Sequence, residues 1–167
     1  VIAGKTSSSM VDGQPGRLTY RCLDIGDLAR NSGFEEVAHL LWNGKLPTKG
    51  ELAHTREMLA KERALATPVL DALRVLAGRS PPMDALRTSI SALSAFDPDA
   101  ERNDPAGNMR KAHRITAKTA TVIAAYHRLR EGHEPIAPRA DLSPSANFLY
   151  MPKGREPEAE VARGVEG

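Results

Sequence analysis

Five histidines, one cysteine and a handful of short polar strings are the parts of this chain whose types could do chemistry. His39, His54, His113, His127 and His133 contain no i, i+4 pair, no His-Glu-x-x-His and no neighbour to Cys22 in sequence. Zinc sites draw on such local pairs, so no metal ligand is assigned. Cys22 falls in a predicted strand and reads as a small core residue, since a reactive thiol needs a cationic or basic neighbour. "NGKLPT" (43–48) lacks the upstream glycine and following Ser/Thr of a phosphate-binding loop, and reads as a helix-ending glycine with a loop. "SSS" (7–9) reads as a solvated turn. The basic residues between Arg110 and Arg130 lie on the flank of an amphipathic helix and read as its solvated edge. No catalytic or cofactor-binding residue is therefore assigned, and no bound cofactor is expected.

Composition narrows the partners. The 167 residues suit one domain with a core of its own. Lys and Arg number 23 against 21 Asp and Glu, a net charge of +2 that gives no argument for nucleic acid or an anionic membrane. Aromatics make up 4%, too few for base-stacking platforms. A single cysteine excludes an internal disulfide and fits a reducing compartment. No apolar run approaches the roughly 20 residues of a membrane span. The start "VIAGKTSSSM" has no leader pattern, and the expectation is a soluble, cytoplasmic chain; without an initiator Met, it is expected to begin after processing or part-way through something larger.

Elements follow from caps and periodicity. "VDGQPG" (11–16) and "RLTYRCL" (17–23) predict a turn and a short strand, hence an N-terminal hairpin. Asp24 caps a helix through Leu28. Ser32 caps the next, with Phe34, Val37, Leu40 and Leu41 at helical spacing and Gly44 as its stop. Thr48 and Glu51 form a capping box for a helix through about Arg63, and Thr67-Pro68 opens another that ends near Gly78. Ser80 and the prolines after it start a helix over 81–95. "FDPDAERNDPAGN" (96–108) is a polar loop, and the longest helix covers 108–130. Ser143-Pro144 starts a helix through Met151, and 156–164 is weakly helical. The fold class is mostly α, multi-helical, with that short hairpin.

Two of these helices have two non-polar sides each. On 81–95, Met83, Leu86, Ile90 and Leu93 form a large face, and Ala85, Thr88, Ala92 and Ala95 a small one. On 108–130, Ala112, Ile115, Thr119, Val122, Ile123, Tyr126 and Leu129 form the large face. Ala117, Ala120 and Ala124 form the small face, with Arg110, Arg114, Lys118 and Arg128 between them. An ordinary surface helix has one apolar side. The pattern leaves two readings open: helices buried twice, or alanine faces exposed to water.

"VIAGKTSSSMVDGQPGRLTYRCLDIGDLARNSGFEEVAHLLWNGKLPT", "PPMDALRTSISAL", "IAAYHRLREGHEPIAP" and "LSPSANFLYMPKGREP" occur in that order at ordinary loop spacings. In order and wording the chain resembles the citrate synthase family, in its bacterial and archaeal branch with the 2-methylcitrate synthases, over essentially all of 1–167. The resemblance implies the N-terminal part of the family's large domain. It also implies a homodimer through helices 81–95 and 108–130, with Ala85, Thr88, Ala92, Ala95, Ala117, Ala120 and Ala124 at the interface and the large faces on the subunit's own core. Its chemistry would condense acetyl-CoA with oxaloacetate to citrate and CoA; the alternatives are propionyl-CoA for a 2-methylcitrate synthase, or a truncated, non-catalytic dimerisation partner. The family's catalytic histidines and aspartate belong to motifs resembling "HADHG" and "GPLHGGA" and to a later stretch. The chain contains neither motif, so no catalytic residue carries over and 1–167 alone is expected to be inactive.

Departures from the family pattern carry expectations of their own. Cys22 stands where a glycine is usual and is strained if its φ is positive. Pro81 replaces a usual histidine, Pro144 fits a first helical turn, and Pro152 is expected to end its helix early.

Overall fold

The computed structural model describes residues 6–14 and 16–166, and the chain is mostly helical with one small antiparallel sheet. It divides into two compact units, Val1–Arg56 with Arg163–Gly167, and Glu57–Ala162.

In the first unit, β1 (Ser9–Asp12), β2 (Arg17–Tyr20) and β3 (Leu23–Asp24) form a sheet in that order. Met10 faces Thr19 across the first pair, and Tyr20 faces Leu23 across the second. The strand expected over 17–23 is thus two strands and a turn. Arg21 and Cys22 make that turn with φ of 47° and 68°, so the strain expected at Cys22 is present. Cys22 is also exposed, not a core residue. The Arg21 guanidinium donates to Ser7 Oγ at 2.7 Å and to the Leu41 carbonyl at 2.8 Å, tying the turn to a helix end.

That end belongs to α2 (Phe34–Asn43), which follows α1 (Ile25–Asn31). Asp24 caps α1 as expected, through the Gly26 N–H. For α2 the cap position is Gly33 instead of Ser32, and Glu36 reaches back to the Gly33 N–H at 2.8 Å. Gly44, in the left-handed region, closes α2. The Thr48–Glu51 capping box opens α3 (Lys49–Lys61) with both reciprocal bonds formed.

The second unit is built on α4 (Thr67–Ala77), α5 (Pro82–Ala92), α6 (Pro105–Arg130) and α7 (Pro144–Lys153). A 3-10 turn, Leu93–Phe96, extends α5, and α8 spans Ala159–Glu166. Helices α4, α5 and α6 pack on one another, and α7 packs on α6. Their core is Leu73, Ala77, Ala85, Val122, Ala125 and Tyr126. The Tyr126 hydroxyl donates to the Ser80 carbonyl at 2.8 Å, which satisfies it at the edge of that core.

Three boundaries differ from expectation for local reasons. Helix α6 starts at Pro105, because Asp104 accepts from the Gly107 N–H and Pro105 fits the first turn. Gly107 is required there: a Cβ would stand 2.9 Å from the Arg102 Cβ. Helix α5 starts without a side-chain cap, so Ser80 does not play that part. Pro152 does not shorten α7, which runs on to Lys153 and closes on Gly154. Lying within the last turn, it costs that turn one N–H, and its carbonyl accepts from the Arg128 guanidinium at 3.0 Å.

Candidate functional site

Helices α5 and α6, with the 3-10 turn that extends α5 and holds Ala95, carry every residue the sequence marked for an interface, so their surfaces are the place to look. Along α5 and into the 3-10 turn the buried line is Ala85, Ser89 and Leu93, four residues apart. Met83 from the large face is 71% exposed, whereas Ala85 from the small face is 0% exposed. The same exchange occurs on α6. Ala117 and Ala124 are buried within the chain's own fold, while Ile115 and Ile123 are 42% and 39% exposed. Val122 and Tyr126 are buried as the large-face reading requires. Thr88 and Ala95 remain exposed, and Ala92 and Ala120 are half-buried. Small side chains at Ala85 and Ser89 suit a close approach of α5 to its neighbours, and this selects the inward line more strongly than residue size.

Beside this surface lies an ionic cluster that the sequence reading passed over as a polar loop. Asp97 and Asp99 follow the 3-10 turn and face Arg110 and Arg114; Lys118, the next cation at the same spacing of four along α6, faces Glu62. Arg110 holds Asp99 through two nitrogens, Nε at 2.9 Å and a shorter second bond. Arg114 Nη1 donates to Asp97 Oδ1 and Asp99 Oδ2, both at 2.7 Å. Lys118 donates to the Glu62 carbonyl at 2.7 Å and to its carboxylate at 3.1 Å. Hydrogen bonds from Arg110, then Arg114, hold the Asp99 carboxyl well below its ordinary range. The signal was available: two aspartates at i, i+2 just before a helix bearing cations at i, i+4, i+8. A cavity of about 310 Å³ adjoins the cluster, lined by Leu93, Phe96, Pro98 and Ile115 with Arg114 and Lys118.

The histidines do not assemble into a site. His39 is buried on α2, and its Nδ1 lies 3.0 Å from Thr55 Oγ1. Because the Thr55 hydroxyl donates to the Glu51 carbonyl, His39 Nδ1 is assigned as the donor in that pair. His54, His127 and His133 are exposed, and His113 is half-buried. Among the described residues no group of three His, Cys, Asp or Glu side chains could hold a metal ion. No described helix is long and apolar enough to cross a membrane.

Comparison with known proteins gives the arrangement its context. The family model described as "Citrate synthase, C-terminal domain" matches residues 1–166. That finding corrects the placement expected from sequence, the N-terminal part of the large domain; ordered phrases carry a family likeness but do not say which of its domains they belong to. The citrate synthase of Haloferax volcanii is 45% identical over 166 residues, 97% of this chain and 44% of that protein. The 2-methylcitrate synthase of Mycobacterium tuberculosis is 41% identical over 99% of this chain and 42% of its own length. The chain therefore spans less than half the length of these curated relatives. The crystal structure of citrate synthase from Pyrobaculum aerophilum superposes with a TM-score of 0.91 at 37% identity, over 99% of this chain and 44% of that one. Sequence and three-dimensional structure thus agree along almost every residue, and the chain belongs to the citrate synthase family.

Proposed function

We propose that this chain contributes the helical framework of a citrate synthase-type acyltransferase, one that condenses acetyl-CoA with oxaloacetate to give citrate and CoA. The match along residues 1–166 carries this reading. The reaction requires a base to take a proton from the acetyl methyl group, a group to polarise the ketone, and cations for the carboxylates of oxaloacetate. The chain's own cations beside α6 are committed elsewhere, with Arg110, Arg114 and Lys118 bound to Asp97, Asp99 and Glu62. His39 is fixed by Thr55. Since the chain contains neither of the motifs resembling "HADHG" and "GPLHGGA" to which the family resemblance assigns catalysis, its part in this reading is to hold shape and to dimerise. A homodimer through α5, its 3-10 extension and α6 would use the small residues left open, Thr88, Ala92, Ala95 and Ala120, with Ile115 and Ile123 alongside. Ala85, Ala117 and Ala124 would support that surface from beneath.

The Mycobacterium tuberculosis relative supports a second reading, a 2-methylcitrate synthase using propionyl-CoA. A thiol-release assay with oxaloacetate and either acyl-CoA tests both. The 167-residue chain alone is expected to give no turnover, and mixing it with the rest of a synthase polypeptide is expected to give CoA release. Turnover by the chain alone, lost on mutating one of its histidines, would overturn the proposal. No turnover with either acyl-CoA after mixing supports the non-catalytic partner instead. For the dimer, Ala92→Leu with Ala120→Leu is expected to weaken association in sedimentation more than it lowers the melting temperature, since overpacking typically costs ~1–3 kcal/mol per site. Unchanged assembly of that double variant removes the interface assignment.

A further inference from the structure

We draw no further inference here: the strongest candidate, the cavity between the 3-10 turn after α5 and the middle of α6, has cations already paired with Asp97, Asp99 and Glu62, and nothing in the structure shows what fills it.

Discussion

The two halves of α6 are held by different forces. From Pro105 to Lys118 the helix is fixed through charge: Arg110, Arg114 and Lys118 bind Asp97, Asp99 and Glu62, and Asp104 caps the start. From Thr121 to Tyr126 it is fixed through packing, with Val122, Ala125 and Tyr126 in the core beside Leu73, Ala77 and Ala85. Charge contacts depend on protonation, whereas apolar burial scales with area and is indifferent to moderate pH. One continuous helix therefore has one end that responds to acid and one that does not.

The largest effect is expected in the packed half. Leu73→Ala removes a fully buried side chain from that core and should cost about 2–5 kcal/mol in urea unfolding. The loss should be the same at pH 7 and at mildly acidic pH. A loss that changes strongly with pH would erase the distinction between the halves.

Asp99→Asn probes the charged half. It should lower the melting temperature at neutral pH by several degrees, because two guanidinium groups lose their carboxylate. The folded-state pKa of Asp99 is depressed below its usual 3.8, so its stabilisation is complete above that value and is lost as pH falls through the depressed one. Glu51, lowered to about 2 chiefly by the hydrogen bond from Lys45, behaves with the same sign. Acid titration of the melting temperature should therefore be shallower for Asp99→Asn than for the wild type. Parallel curves would show that Asp99 does not set the acid response.

Two smaller substitutions sharpen the comparison. Cys22→Gly relieves a positive φ far from α6 in the chain and should stabilise by about 1 kcal/mol without altering the acid titration. Ser89→Ala removes a buried hydroxyl with no hydrogen-bond partner among the described residues, one turn along α5 from Ala85. It should be neutral or stabilising by up to about 1 kcal/mol, again at every pH. Thermal melts of the two variants at pH 7 check both, and destabilisation by either would contradict its account.

Much of the fold was legible in the sequence because its signals are local. The Asp24 cap, the Thr48–Glu51 box, the Gly44 stop and the Ser143 cap each act within a few residues, and each is present. The start of α6 was missed although Asp104-Pro105 encodes it just as locally. What the sequence could not decide was which side of a two-faced helix turns inward. Met83 and Ala85 sit two residues apart, and only the approach of α4 and α6 decides that the alanine is covered. In the ionic cluster, Asp97 and Asp99 reach Arg110 and Arg114 across gaps of 11 to 17 residues and Glu62 reaches Lys118 across 56, so periodicity within one element did not reveal it. The family likeness was legible in the ordered phrases, and its domain assignment was not.

Arg63 has a consequence for how the chain reaches its native state. Its guanidinium donates to the carbonyls of Arg139 and Leu142, 76 and 79 residues away, and its own carbonyl accepts from Thr121. Those bonds close long loops, and the entropy of closure must be met before they contribute. The Arg139 N–H, which donates to Asn147 Oδ1 at 2.8 Å beside those covered carbonyls, should therefore gain hydrogen-exchange protection late in refolding, after α4, α5 and α6 have come together. Until then, Arg63 and the carbonyls it will cover remain with water, and a protease has access to the backbone around Arg139 which the finished fold denies it.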